Sequence, residues 1–279
     1  MTINIHPCIW YDGNAKAAAD FYCSIIKNSK NLIDTPMVVI FELNGKKFMG
    51  LNGGPMFKIN PSISIFVLCE SINETNEIWS KLLDGGKAMM PMDKYPWSDR
   101  YGWVEDKFGL TWQVSVVKKD GDKQKITPSM LFTGNQFGKA EEAVQFYTSV
   151  FNNSHIDLLI HYPEGHPDAG KVMYSEFNLN QHSLIAMDGP GEHAFSFNEA
   201  VSFVVNCDTQ EEIDFFWNKF TIDGGQESMC GWLKDKFGVS WQIVPSVIGQ
   251  LMKDPEKAPR VMGVVMKMKK LDIETMVNA

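Results

Sequence analysis

The sequence lacks the features that define several large classes of proteins. Its 279 residues contain five cysteines and no CxxC motif. This odd number argues against a disulfide framework and the spacing against a zinc knuckle. No apolar run approaches the about 20 residues of a membrane span. The first residues show no basic segment followed by an apolar one, as a secretory signal would. We therefore expect a protein of the reducing cytoplasm that has no membrane partner.

Positive charge is also scarce. The formal net charge is −8 and the sequence pI is about 5.3, which argues against nucleic acid as a partner. No phosphate-binding P-loop and no Ser-His-Asp order of a hydrolase is visible. Apolar residues make up 44% of the chain and aromatic residues 12%, which is enough to build a globular core.

A thirteen-residue block occurs twice. Residues 102–114 read GWVEDKFGLTWQV and residues 231–243 read GWLKDKFGVSWQI, with eight identical positions and a constant offset of 129 (232 − 103). A match of this length indicates a tandem duplication. Each block predicts two strands joined by an Asp-Lys-Phe-Gly turn. Because side chains alternate along a strand, Trp112 faces one way and Gln113 the other. Gln242 is the counterpart of Gln113 in the second copy.

The order of elements repeats within each copy as well. A strand, a helix and three further strands are predicted twice before residue 118 and twice after residue 125. We predict the first copy at 1–117, a charged linker at 118–125 and the second copy at 126–247. A helical tail follows at 248–279. The two copies are expected to pack as a pseudo-dimer within the chain, and two chains can also associate as a homodimer.

Several of these segments resemble one known family. They are PCIWYDGNAKAAADFY (7–22), ELNGKKFMGLNGGP (42–55), SISIFVLC (62–69) and both GW..DKFG..WQ blocks. They are similar to the PhnB-like branch of the glyoxalase, or vicinal oxygen chelate, superfamily, often named 3-demethylubiquinone-9 3-methyltransferase-like. The resemblance implies an α+β fold made of tandem glyoxalase-like domains. Each domain would contain two βαβββ modules that form curled mixed sheets with helices outside.

The methyltransferase name implies S-adenosylmethionine as a cofactor. However, the sequence has no Gly-rich strand-to-helix loop followed by an acidic ribose partner, so we do not expect methyltransferase activity.

The resemblance also implies a site for a divalent metal. Metal-dependent members hold the ion with four His, Glu or Gln side chains from the first and last strands of paired modules. The corresponding positions are His6, Thr127, Ser62, Ala200, Met49, Ile185, Gln113 and Gln242. Only His6 and the two glutamines are competent ligands, so the quartet is incomplete and a metal is disfavoured. His161 and His166 with Glu164 match no ligand spacing either.

Two long loops supply the remaining candidates for ligand binding. Residues 87–101 are long only in copy one, and residues 161–171 only in copy two. If modules of different copies pair, both loops would reach one cavity. The candidates in that cavity are Tyr95, Trp97, Arg100, Tyr162, Glu164 and Gln113, and Arg100 is available to an anionic group. Gln242 is the candidate in the second pairing, which joins the first module of copy one to the second module of copy two. Alternatively, the loops cover separate sheet edges and the glutamines are core amides.

Three functional hypotheses follow from these residues. The first is a protein that binds a small molecule in a sheet-lined cavity. The second is a metal-dependent lyase or dioxygenase of the vicinal oxygen chelate type. The third is a non-catalytic module that sequesters its ligand. The sequence does not identify the ligand or decide whether the protein is an enzyme.

Overall fold

The computed structural model describes residues 3–117 and 123–279. Within these residues the chain forms sixteen β-strands. The strands of the first half are β1 (Asn4–Tyr11), β2 (Lys30–Asp34), β3 (Val38–Leu43), β4 (Lys46–Asn52), β5 (Ile63–Cys69), β6 (Lys87–Tyr95), β7 (Ser98–Glu105) and β8 (Thr111–Val116). Those of the second half are β9 (Lys125–Phe132), β10 (His155–His161), β11 (Val172–Leu179), β12 (His182–Asp188), β13 (Val201–Cys207), β14 (Gln226–Glu227), β15 (Trp232–Lys234) and β16 (Ser240–Pro245).

Seven α-helices accompany the strands in this part of the chain. They are α1 (Ala15–Ile25), α2 (Ile72–Leu83), α3 (Ala140–Val150), α4 (Gln210–Thr221), α5 (Ile248–Leu251), α6 (Ala258–Val265) and α7 (Ile273–Val277). Three helices begin where a side chain caps free backbone N–H groups, and at α7 the Asp272 carboxylate accepts from the backbone of Thr275. The Ser71 hydroxyl accepts from the backbone of Glu74, and Thr209 forms a reciprocal capping box with Glu212.

The two copies of the sequence are not separate units in space. The first sheet has the strand order β14-β15-β16-β13-β1-β4-β3-β2, and the second has β10-β11-β12-β9-β5-β8-β7-β6. Each sheet therefore takes one module from each copy. The antiparallel pairs β1–β13 and β5–β9 join the modules, whereas β5–β8 and β13–β16 are parallel. The expected α+β fold of duplicated βαβββ modules with mixed sheets is confirmed.

The repeated hairpins have the predicted turn and the predicted faces. Gly109 takes a positive φ of 87°, which glycine adopts without strain. Within the turn, the Asp106 carboxylate accepts hydrogen bonds from the backbone of Phe108 and Leu110 and from the Trp112 indole. Trp112 is 1% exposed and packs in the core, while Gln113 lies on the opposite face of β8.

The core lies between the two sheets, and the helices fill it. The Tyr22 ring of α1 contacts Phe41 in the first sheet and Trp112 in the second. Tyr147 of α3 bridges the sheets in the same manner through Trp241 and Phe177. One continuous cluster of buried side chains therefore spans both sheets. Each sheet has one face covered by helices and one face turned away from them.

The C-terminal tail is helical, as predicted, but it is not one continuous helix. It forms α5, α6 and α7, and the irregular segment between α6 and α7 pairs through its carbonyls with the residues just before β15. Met268 O accepts from Cys230 N, and Lys269 O accepts from Gly231 N, each at 2.7 Å. These contacts replace helical hydrogen bonds, so the helix is interrupted there. Of the predicted linker, 118–122 lie outside the described residues, and Gln124 is buried.

Candidate ligand-binding groove

The helix-free face of the second sheet is strongly curved. Phe66 of β5 and Tyr174 of β11 are three strand spacings apart in the sheet, or roughly 14 Å for a flat sheet. Their ring centroids are nevertheless 6.5 Å apart. Tyr101 of β7 approaches Phe66 from the other side at 6.4 Å. The sheet therefore curls around this face, which we call the groove.

The floor of the groove is a buried amide held by hydroxyl groups. Gln113 is 5% exposed, and its Oε1 accepts a hydrogen bond from the Tyr101 hydroxyl at 2.8 Å. Its Nε2 donates to Ser64 Oγ at 2.8 Å and lies 3.5 Å from Ser129 Oγ. Burial raises the pKa of Tyr101, so its hydroxyl remains protonated and acts as the donor. The network fixes the orientation of the amide.

Aromatic and aliphatic side chains form the two walls. On one side Tyr95 stacks on Trp97 at 5.0 Å, and both rings meet Tyr101 edge-on at 5.5 and 5.6 Å. Trp97 is 50% exposed. On the other side, exposed Leu158 and Ile160 of β10 pair with Glu176 and Tyr174 and so share their face. Such walls suit a flat apolar ligand.

Two polar atoms beside Gln113 lack partners. Among the described residues, Trp103 Nε1 and Thr111 Oγ1 are buried without a hydrogen-bond partner. Trp103 pairs with Gln113 across β7 and β8, and Thr111 precedes it by two residues on β8, so all three side chains share one face. Buried polar groups are nearly always paired. The floor therefore offers one unused donor and one unused hydroxyl.

The equivalent face of the first sheet is filled. Gln242 Nε2 donates to Ser202 Oγ at 2.9 Å, as Gln113 does to Ser64. However, the Trp10 indole contacts Phe57 and Trp232 at 4.9 and 6.0 Å and donates to Gly54 O. The space for this indole exists because residue 53 is glycine. A Cβ atom on Gly53 would lie 2.1 Å from the Trp10 ring.

The other loop candidates lie outside the groove. Arg100 Nε donates to Asn76 Oδ1 of α2 at 2.8 Å, on the helix-covered face. Tyr162 stacks on His166 at 4.5 Å, and burial and nearby Asp168 and Asp188 raise its pKa. Glu164 is exposed at the loop tip. The expected binding roles of Arg100, Tyr162 and Glu164 in a shared cavity are therefore not supported by their positions.

Strand direction explains this separation of the loops. Loop 161–171 connects β10 to β11 at the end of the second sheet where β9 finishes. The β6–β7 hairpin turns at the end where β9 begins, because β5 and β8 run opposite to β9 and β7 runs opposite to β8. The two hairpins are therefore at opposite ends of one sheet, and Tyr95 and Trp97 of the β6–β7 hairpin contact Tyr101.

Comparisons with known proteins identify the family. The sequence profile described as 3-demethylubiquinone-9 3-methyltransferase matches residues 3–115 and again residues 124–244. This chain belongs to that family. No curated protein sequence matches it. In the part that the structure describes, no helix is long and apolar enough to cross a membrane.

Solved structures add a likeness in fold. The PhnB protein from Bacillus cereus is 29% identical and covers 39% of this chain and 96% of its own, with a TM-score of 0.38. Glyoxalase I from Zea mays is 9% identical, with 86% of this chain and 92% of that chain covered and a TM-score of 0.56. A mutant of the same maize enzyme gives 10% identity, the same coverage and a TM-score of 0.57. The glyoxalase likeness shows the fold alone.

The structure corrects the positions at which a metal quartet would meet. The first-strand residues beside the glutamines are each two positions beyond those predicted. They lie on the predicted face of each strand, because a shift of two residues keeps the face. In the groove, the four side chains that meet are Ser64, Ser129, Ile185 and Gln113. In the first sheet, they are Ser202, Cys8, Met49 and Gln242. His6 and Thr127 are not at these positions.

These side chains do not fit a divalent metal. Ile185 offers no donor atom, and neutral hydroxyls and an amide are poor substitutes for carboxylate and imidazole ligands. In the first sheet, burial raises the pKa of Cys8 to about 12, so the thiol stays protonated, whereas the thiolate is the ligand form. Within residues 3–117 and 123–279, no three His, Cys, Asp or Glu side chains cluster as ligands. His161 instead bonds to Glu141 at 2.8 Å.

The sequence analysis missed several residues of the groove. Ser64, Phe66 and Ser129 lie beside the predicted Gln113, Tyr174 packs against Phe66, and Tyr101 was assigned to a loop. The segment SISIFVLC carries a usable signal, since Ser64 and Phe66 alternate with Ile63, Ile65 and Val67. This period of two predicts which residues share the face. It does not predict which strand of the other copy lies alongside.

Proposed function

We propose that this protein binds a small, flat organic molecule in the groove of the second sheet, without a divalent metal. The observation that supports this most is the buried Gln113 amide, which occupies a metal-ligand position between two hydrophobic walls. A pocket of this kind recognises apolar surface by contact and orientation by a few polar groups. Binding without a metal agrees with the first hypothesis, a ligand-binding protein, and with the third, a non-catalytic module that sequesters its ligand.

The walls and the floor indicate what such a ligand carries. The exposed Trp97 ring and its stacked partner Tyr95 provide a flat surface for an aromatic or conjugated ring. The Trp103 indole N–H is a donor only, so the ligand needs an acceptor such as a carbonyl oxygen near it. The Thr111 hydroxyl can donate or accept. We therefore expect a ring system with at least one carbonyl or hydroxyl group.

The polar groups of the groove favour binding over acid–base chemistry. Tyr101 is protonated at neutral pH because its pKa is raised by burial, so it is a donor and not a base. Glu176 accepts from the Tyr174 hydroxyl at 2.7 Å and lies 3.5 Å from Lys125 Nζ. These groups are already paired with each other. The groove thus presents fixed hydrogen-bonding groups and hydrophobic surface.

The duplication provides a matched control for testing this proposal. We expect a ligand screen by NMR or thermal shift to yield aromatic carbonyl compounds that bind the wild-type protein. The Gln113→Leu variant should lose at least about fivefold in affinity, as removal of a buried hydrogen-bonding group costs about 1–3 kcal/mol. Gln242→Leu is the same change in the filled face and should retain binding. Trp97→Ala should weaken binding without unfolding the protein, because this side chain is half exposed.

Two results would contradict the proposal. One is a set of ligands whose affinity is the same in the wild type, Gln113→Leu and Trp97→Ala proteins. The other is stoichiometric Ni, Zn, Mn or Fe in the purified protein whose removal abolishes ligand binding. The second result would instead support the metal-dependent lyase or dioxygenase hypothesis.

A further inference from the structure

A cavity of about 240 Å³ lies between the two sheets, where β1, β4, β9 and β12 begin. Its lining includes three pairs of equivalent residues from the two copies, namely Ile5 and Ile126, Phe48 and Leu184, and Lys46 and His182. The alternation of side chains along each strand puts all six on the helix-covered sides of the sheets. The cavity, which we call the seam cavity, is therefore separate from the groove on the helix-free side.

In one half of this cavity, a histidine accepts a hydrogen bond from a backbone donor. Ile5 N of the first sheet donates to His182 Nε2 of the second sheet at 3.3 Å. Asn180 supports this contact, because its Nδ2 donates to Ile3 O at 2.7 Å. These two bonds satisfy the backbone of β1 before the point at which it begins to pair with β4.

The other half has the same framework but a different side chain in the place of the histidine. Asn44 Nδ2 donates to Gln124 O at 2.7 Å, so the start of β4 lies beside the start of β9 just as β12 lies beside β1. The residue equivalent to His182 is Lys46. An ammonium group only donates hydrogen bonds, so Lys46 cannot accept one from the backbone as His182 does.

The backbone N–H of Ile126 therefore has no hydrogen-bond partner among the described residues. Leu131 N donates to Ser62 O. Because alternate residues of an antiparallel strand bond to the same neighbour, Ile126 points away from β5 and toward β12. The pairing of β9 with β12 begins only at Ser129. Since Ile126 is 2% exposed, its N–H is sheltered from water and needs an acceptor.

Lys46 brings a positive charge to the same cavity. Burial and then the charge of Lys46 lower the pKa of His182, so the ammonium group lies near that ring. Glu42 is the one carboxylate among the described residues of the lining. However, it pairs with Lys47 on the other face of the sheet, and its carboxylate lies 3.3 Å from Lys30 Nζ. The seam cavity thus presents a cation and a backbone donor without an anionic acceptor of its own.

We propose that the seam cavity binds a small organic carboxylate at Lys46 and Ile126. One carboxylate oxygen accepts from the Ile126 N–H and the other from the Lys46 ammonium group. The ligand thereby does for Ile126 what the His182 imidazole does for Ile5. Its hydrocarbon part lies against Phe48, which is in the apolar lining. The volume is below the roughly 300–1,000 Å³ of ordinary ligand pockets, so the ligand has only a few carbon atoms.

Butanoate is a suitable probe, and butanamide is its neutral counterpart. We expect ¹⁵N–¹H NMR to show a saturable change of the Ile126 amide signal as butanoate is added, with a Kd below about 10 mM. Butanamide should bind at least about tenfold more weakly, as should butanoate to Lys46→Met, since a hydrogen bond to a charged group is lost. Lys46→His places an imidazole acceptor beside Ile126, as in the other half, and should abolish binding.

Matched variants separate this site from general surface charge and from the groove. Lys47→Met removes the next lysine of β4, whose side chain lies on the opposite face of the sheet, and should leave butanoate affinity unchanged. The groove variant Gln113→Leu should also leave it unchanged. The proposal is overturned if the Ile126 signal shows no saturable change below about 10 mM butanoate, or if butanamide binds equally well. Equal butanoate affinity in the wild type and Lys46→Met also overturns it, as does an equal loss in Lys46→Met and Lys47→Met.

Discussion

The hydroxyl of Tyr147 donates a hydrogen bond to a carboxylate oxygen of Asp235 at 2.7 Å. Tyr147 lies on α3, which packs on the second sheet, whereas Asp235 lies in the turn that leads into β16 of the first sheet. The same carboxylate accepts from the backbone of Phe237 and Val239 and from the Trp241 indole. A single buried carboxylate thus connects a helix, a turn and a strand across the two sheets.

The Tyr147→Phe variant should lower the free energy of unfolding by about 1–3 kcal/mol, because it removes one donor from a fully buried carboxylate. Tyr22 occupies the same position in copy one and provides the comparison. Its hydroxyl takes part in a longer bond, 3.3 Å from that of Tyr11, so Tyr22→Phe should cost less. Urea denaturation measures both losses, and an equal or larger loss for Tyr22→Phe would contradict this assignment.

Asp235 should also make stability depend on pH. Burial raises its pKa from the ordinary 3.8 to about 6, so the folded state binds more protons than the unfolded state between these values. The contribution to stability is present below pH 3.8 and is lost as pH rises through 6. The difference corresponds to about 3 kcal/mol. The free energy of unfolding of wild type relative to Asp235→Asn should therefore fall by about this amount between pH 4 and 7.

The control for this experiment is Asp223→Asn, which changes an exposed carboxylate. Urea denaturation of this variant over the same pH range measures the effect of an Asp-to-Asn change at an exposed position. A difference between wild type and Asp235→Asn that stays constant from pH 4 to 7 would mean that the four hydrogen bonds offset the cost of burying the charge.

Trp112→Ala should destabilise the fold by about 3–5 kcal/mol, since this indole is 1% exposed and packs on Tyr22 of α1. Trp97→Ala is the matched change of a tryptophan that is 50% exposed, and it should cost less than about 1 kcal/mol. Chemical denaturation of both variants tests whether Trp112 faces the core and Trp97 faces the solvent. A loss below about 1 kcal/mol for Trp112→Ala would show that this strand face is assigned wrongly.

Removal of divalent metals should leave stability unchanged. The side chains at the quartet positions are poor ligands, so a metal would not be expected to bind the folded state more tightly than the unfolded one. We expect EDTA to change Tm by less than about 1 °C. Added Ni²⁺ or Zn²⁺ should also change Tm by less than about 1 °C. A rise in Tm that grows with the concentration of either metal would show a site that the donor set does not predict.

The tail should stabilise the first sheet through a small cluster of its own. Leu271 is 1% exposed and packs with Val261, Val265 and Met276. Leu271→Ala should cost about 2–4 kcal/mol in urea denaturation. Val277→Ala, at a position that is 43% exposed on α7, is the control and should cost less than about 1 kcal/mol. If both variants unfold like the wild type, the tail does not contribute to the cooperative unit.

The sequence by itself determined the duplication, the elements and the alternation of faces. Asp106 and Gly109 predict their turn because their preferences depend on local backbone geometry. Trp112 and Gln113 are assigned to opposite faces because side-chain direction repeats every two residues. These properties depend on neighbours in the chain, so they are visible without knowing which strands pair.

The tertiary structure alone decided which residues meet. Gln113 binds Ser64 from its own copy and lies beside Ser129 from the other, two positions beyond the expected ones. A shift of two residues preserves the face of each strand, so period-two alternation cannot detect it. Arg100 bonds to α2, and Trp10 fills the helix-free face of the first sheet. Both outcomes depend on contacts between segments far apart in the sequence, where packing and strand direction, rather than local preference, select the partner.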